Sequence, residues 1–181
     1  MTEKEFLNRI SNSKKDFAGD FFKVLERKKI KFCIIGGLAV NAYAEPVVSL
    51  DIDVVVSVAK LDEVISELRK HFKVKRLEHS INVSNRYSDL RIQIRTDKIY
   101  QEFIKRSKKR IVVGYKVPVA SIEDVLKGKV LAYFDKTRRE SKRQKDLADI
   151  LRLLESKLEI VNLLTEELKE KIKNALKIKS N

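Results

Sequence analysis

The chain is poor in every residue that would brace or break it from outside a packed core. Its 181 residues include one cysteine, two prolines, five glycines and two histidines. A lone cysteine excludes a disulfide framework within the chain and fits a reducing, cytoplasmic setting. Cys33 sits in the apolar run Phe32-Cys33-Ile34-Ile35 and reads as a small buried hydrophobe. So few chain breakers favour long regular elements over a loop-rich fold. His71 and His79 lack metal-ligand spacing, and both are expected at the surface. No apolar run is long enough to cross a bilayer. The charged start Met1-Thr2-Glu3-Lys4-Glu5 leads into no signal-like apolar core. A membrane partner is not expected.

Charge is what the chain has in surplus. Forty Lys and Arg stand against 26 Asp and Glu, a formal net charge of +14. Such an excess suits an anionic partner such as nucleotide, RNA or DNA, although a lysine-rich solvated surface gives the same count. Hydrophobic residues make up 43%, which excludes a disordered chain. The length predicts one compact unit with a substantial core.

The periodicities predict an α+β order. Residues 3–28 have helical spacing, with Phe6, Ile10, Phe17, Phe21 and Leu25 on one face and a possible break at Ser11-Asn12-Ser13. A short buried strand over 31–35 ends at Gly36-Gly37, and a helix over 38–44 stops at Pro46. A valine-rich strand follows at 50–58, then a helix at 60–71. Strands are expected at 73–77, 81–85 and 90–95. In the last, Leu90, Ile92 and Ile94 face one way and Arg91, Gln93 and Arg95 the other. A helix over 98–107 and one extended piece over 111–119 complete the first part. Helices follow at 121–135, 142–155 and 165–177, the first opened by Ser121 with Asp124 in a capping-box-like pair. The expected division is a core over residues 1–119 with its N-terminal helix, and a helical C-terminal part over 120–181 packed on it.

Two features carry chemistry. In Leu50-Asp51-Ile52-Asp53-Val54-Val55-Val56, residues two apart share a strand face, so Asp51 and Asp53 project side by side. The apolar residues after them imply an interior strand. Neighbouring carboxylates that lose hydration are tolerated when a cation lies between them, and Mg²⁺ prefers carboxylate and phosphate oxygens. Gly36-Gly37 ends one strand and opens a helix, where backbone N–H groups and the helix dipole favour phosphate. Separately, the acids could be solvated and the glycines an ordinary turn. Together, in one ordered unit, they are more specific.

That unit, Ile35-Gly36-Gly37-Leu38-Ala39 through Ser49-Leu50-Asp51-Ile52-Asp53, resembles the signature of the DNA-polymerase-beta-like nucleotidyltransferases. Val119 to Ala132, and Arg143-Gln144-Lys145-Asp146-Leu147-Ala148-Asp149-Ile150, are similar to segments of the AbiEii-type family known from abortive-infection toxins. The resemblance spans roughly residues 30–155. It implies a small mixed sheet flanked by helices, with Asp51 and Asp53 holding Mg²⁺ and Gly36 and Gly37 cradling NTP phosphates. It also implies that Lys129 reaches those phosphates, and that Lys145, Asp146 and Asp149 line the site. Read without it, Lys129, Lys145, Asp146 and Asp149 are ordinary helix charges.

The resemblance is imperfect at one position. Active members of the superfamily usually add a third acid from a neighbouring strand. Gln93 is the residue expected there, with Asp89 as the substitute under a different register. Glutamine cannot act as a general base near neutral pH, a contribution worth about 10²–10⁴-fold. Two basic runs, Lys105 to Arg110 and Lys136 to Lys145, could meet a polyanion such as RNA, tRNA included. No aromatic stacking surface supports base-specific reading. The expected activity is nucleotide transfer from an NTP to RNA, protein or a small molecule. The family likeness adds toxin activity and an antitoxin partner. The alternative is an inactive nucleotide- or RNA-binding protein on the same scaffold.

Overall fold

The computed structural model describes residues 1–176. Two helices, α1 (Glu3–Ile10) and α2 (Phe17–Arg27), precede the sheet. Thr2 and Glu5 close a full capping box on α1. The expected break falls where Ser11 turns its hydroxyl back to the Leu7 carbonyl and Asn12 adopts φ 51°. Asp16 then caps α2 by accepting from the Gly19 N–H. The break shifts the apolar face of α1: Leu7 is buried, while Phe6 is exposed.

The seven-stranded mixed sheet has the order β3-β4-β5-β2-β1-β7-β6. Its strands are β1 (Phe32–Ile35), β2 (Asp51–Val56), β3 (Lys73–Arg76), β4 (Ser80–Ser84), β5 (Arg91–Arg95), β6 (Lys108–Val112) and β7 (Tyr115–Val119). β2 lies at the centre, antiparallel to β1 and parallel to β5. Its Ile52, Val54, Val55 and Val56 are buried, as its valine run requires. The piece read as one extended stretch over 111–119 is a hairpin. The two residues between β6 and β7, Val113 and Gly114, both take positive φ, the geometry that joins strands through a two-residue turn. Valine rarely adopts that conformation, so the turn was not legible.

The connecting helices are α3 (Gly36–Val40), α4 (Leu61–Arg69) and α5 (Gln101–Arg106), with single 3₁₀ turns leading into α4 and α5. The helical end consists of α6 (Ile122–Phe134), α7 (Glu140–Ser156), a 3₁₀ segment at Leu158–Leu163, and α8 (Glu166–Leu176). Residue 177, expected to close the last helix, and residues 178–181 lie outside the described residues. Phe22 of α2 stacks on Phe32 of β1 and meets Tyr115 of β7 edge-on, fixing α2 to the sheet. α6 lies along α7, and both pack against α3. This arrangement hangs the C-terminal helices over the strand ends that carry the aspartates. Among the described residues, no helix is long and apolar enough to cross a membrane.

Candidate active site

The aspartates line one cleft of about 570 Å³ between the sheet and α6–α7. Gly36, Gln93, Lys129 and Asp146 also line it. Gly36 enters α3 with φ 69°, and a Cβ placed there would lie 2.3 Å from Asp53 Oδ2. Only glycine lets the α3 backbone come this close to the carboxylate. Gly37 is different: the nearest atom to a Cβ there is Ser49 Oγ, at 4.0 Å.

Parallel pairing sets Asp51 against Arg91 and Asp53 against Gln93. Gln93, the residue expected in place of a third acid, thus stands directly beside Asp53. Gln93 donates from Nε2 to Ser80 Oγ at 3.1 Å, which leaves its carbonyl oxygen to offer. Asp89 is elsewhere. It precedes β5, its carboxylate accepts from Asn12 Nδ2 at 2.5 Å, and its N–H donates to the Ser11 carbonyl. This register leaves Asp89 outside the strand pairs that flank Asp51 and Asp53.

Burial on the cleft floor pushes the Asp53 carboxyl above its ordinary range, and the charge of Asp51 adds to this. Lys129, Arg95 and Arg138 pull it back in part. Asp51 is half-exposed and paired: Arg91 Nε stands 2.8 Å from Oδ1 and Lys142 Nζ 3.8 Å from Oδ2.

Lys129 does not stand free. It is buried, with Nζ 2.9 Å from Asp146 and 2.6 Å from Asp149. Burial alone would lower its ammonium pKa. The two aspartates outweigh that and hold it above its usual value. Arg138 takes the other Asp146 oxygen at 2.7 Å, and Arg152 takes the other Asp149 oxygen at 2.7 Å. Arg152 also donates to Asn41 in the loop before β2. Asp149 therefore orders the wall through Lys129 rather than lining the cleft. Lys145 is exposed on α7 and does not line it.

Several cleft residues were not singled out in the sequence. Arg91 and Arg95 share the strand parity of Gln93, so their direction was legible but their partners were not. Lys73, Lys75 and Asn82 come from β3 and β4. Their arrival needs the strand order, which places Asn82 opposite Gln93 and Lys75 opposite Asn82. Asp124 reaches the cleft too. Its N–H meets Ser121 Oγ as the cap predicts, but its carboxylate takes both nitrogens of an Arg106 fork at 2.9 and 2.7 Å.

The two acids and the neighbouring amide suit a hard cation. Mg²⁺ commonly uses one or two carboxylates plus substrate phosphates and keeps several waters. Two adjacent carboxylates, one disfavoured as a bare anion by burial, match that pattern when a triphosphate supplies the remaining oxygens.

The fold defines the class. Similar solved structures include the antibiotic-resistance factor ANT(2'')-Ia, at 12% identity over 88% of this chain and 92% of that chain, TM-score 0.59. A nucleotidyltransferase-like protein of Paracoccidioides brasiliensis matches at 18% identity over 98% and 95%, TM-score 0.56. A lincosamide antibiotic adenylyltransferase, solved with lincomycin bound, matches at 13% identity over 78% and 99%, TM-score 0.53. At these identities the likeness is one of fold: the nucleotidyltransferase fold. Comparison with curated proteins gives no match. The family is shown by sequence. Residues 22–179 match the model of the nucleotidyl transferase AbiEii toxin family of type IV toxin–antitoxin systems, and the chain belongs to that family.

Proposed function

We propose that this nucleotidyltransferase moves a nucleoside monophosphate from an NTP to an acceptor hydroxyl, releasing pyrophosphate, with Mg²⁺ held by Asp51 and Asp53. The observation that carries the reading is the contact between the Gly36 backbone and Asp53. It joins a helix N-terminus suited to phosphate with a carboxylate suited to the metal. Bound Mg²⁺ supplies charge stabilisation for the transferring phosphoryl group. The chain's own share is positioning and electrostatics: glycine backbone for phosphates, a rigid acid pair, and cations around the cleft.

RNA, tRNA included, is the acceptor class that best suits this rim. Lys73, Lys75, Arg91, Arg95, Arg139 and Lys142 all border the cleft, and a polyanion releases counterions on meeting them. Membership of a toxin–antitoxin family supports a toxic activity restrained by an antitoxin. Gln93 keeps a second reading in play, a protein that binds nucleotide or RNA without transfer. Incubation with Mg²⁺, each of the four labelled NTPs and total RNA decides between them. Label should move to RNA with wild type and not with Asp53→Ala. Tight nucleotide binding with no transfer to RNA, protein or small-molecule acceptors would leave the second reading.

A further inference from the structure

Two-metal transfer sites place ions about 3.5–4 Å apart and clamp both the attacking and the leaving oxygen. They need carboxylates enough to share between the ions. Among the described residues, no group of three or more His, Cys, Asp or Glu is placed to hold an ion. β5 instead presents Arg91, Gln93 and Arg95 toward the cleft, with Gln93 beside Asp53 and Arg91 beside Asp51. One oxygen of Asp51 pairs with Arg91 at 2.8 Å, while the other lies 3.8 Å from Lys142, outside hydrogen-bond distance and open to one ion. A second divalent ion would have to displace a guanidinium, accept a neutral amide as ligand, and settle among positive charges. A guanidinium stays protonated throughout the accessible pH range and directs its N–H donors along fixed lines.

We infer that the site works with one divalent ion, and that Arg91, paired with Asp51 on the cleft wall, supplies from the protein the positive charge a second ion would bring. The inference rests on the Mg²⁺–nucleotide reading above. In this arrangement Asp53 and Asp51 hold the ion that accompanies the triphosphate. Arg91 keeps Asp51 oriented and offers N–H donors to an oxygen at the acceptor side. Arg91 is then a positioning and charge-supplying residue, and Gln93 is the neutral neighbour that makes its presence compatible with the acid pair.

Counting bound Mn²⁺ by electron paramagnetic resonance, with a saturating non-transferable NTP analogue, tests this without reading activity. Wild type should bind one Mn²⁺ per chain and show no spin-coupled pair. Arg91→Ala combined with Gln93→Asp should bind two, spin-coupled. Arg91→Lys should remain at one. The Arg91 side chain is 71% exposed, so its replacement leaves the core untouched. A coupled pair in wild type, or a single ion in an analogue-bound double variant, overturns the inference and leaves the metal–nucleotide reading intact. Wild type that binds no Mn²⁺ in the presence of the analogue overturns that reading, and this inference with it.

Discussion

Gly36 and Gly37 look alike in the sequence and differ in what the fold asks of them. Gly36 combines a positive φ with a close approach to Asp53; Gly37 has neither. Gly36→Ala should cost about 1–3 kcal/mol from backbone strain and overpacking and should abolish Mg²⁺–nucleotide binding. Gly37→Ala should stabilise by up to about 1 kcal/mol through helix propensity. Urea unfolding with calorimetric nucleotide titration reads both, and equal effects at the two positions would contradict the assignment. A second residue-scale prediction concerns pH. Glu67 on α4 is buried among cations, with Lys70 at 2.7 Å, Arg27 at 3.0 Å and Lys28 at 3.4 Å. The Lys70 hydrogen bond, with Lys28, holds its carboxyl down at about 2 against an ordinary 4.5. A depressed acid stabilises the fold fully above its ordinary value and loses that contribution as pH falls through its folded value. The stability lead of wild type over Glu67→Gln should therefore be full above pH 4.5 and close toward about 2. Unfolding curves at stepped pH check this, and a lead that grew on acidification would reverse the sign.

Among the elements, α6 and α7 are joined by buried charge as well as by apolar contact. Lys129 carries two aspartates that are themselves held by Arg138 and Arg152. Removing one partner of a buried pair leaves uncompensated charge and typically costs about 3–5 kcal/mol. Lys129→Met should fall near the lower end of that range, because Asp146 and Asp149 keep their arginines. Adding Asp146→Asn should restore part of the loss. Guanidinium unfolding of the single and double variants measures the coupling, and strictly additive losses would disprove it. The sheet edges explain other charges. β3 carries Lys73, Lys75 and Arg76, and β6 carries Lys108, Lys109 and Arg110. Both end the strand order, and lysine or arginine along an open edge discourages pairing with another chain. The first basic run is accounted for this way, with Lys105 paired to Glu102 and Arg106 to Asp124. The second run feeds the cleft through Arg138, Arg139 and Lys142.

For the whole molecule, a net charge of +14 acquires a direction only because strand order brings β3 and β5 cations to the wall that α7 faces. If RNA is the acceptor, its binding should weaken linearly in log–log terms with salt. Each phosphate contact removed from a single strand should flatten that slope by about 0.7. Lys73→Ala with Lys75→Ala should show the flattening without loss of NTP binding, by fluorescence anisotropy over a salt series. An unchanged slope would place the RNA elsewhere. The order in which residues meet here also explains what sequence could reveal. The meeting of Gly36, Asp51 and Asp53 in one cleft was legible because it depends on spacing within one strand–turn–helix–strand unit. Arg91's pairing with Asp51 was not, since it depends on the register of a strand forty residues away.

By itself, then, the sequence determined the family, the strand–helix order apart from the β6–β7 hairpin, the acid pair and the neutral Gln93 where a third acid was expected. These follow from local periodicity and steric rules: alternation along a strand, glycine at a turn, valine runs in the interior. The tertiary structure decided that Lys129 is tied to Asp146 and Asp149, that Lys145 faces solvent, and that Asp89 is held by Asn12. It also decided which of the many cations reach Asp51. Charge pairing is set by distances of a few ångströms between residues far apart in the chain, and only the packed sheet and helices fix those distances.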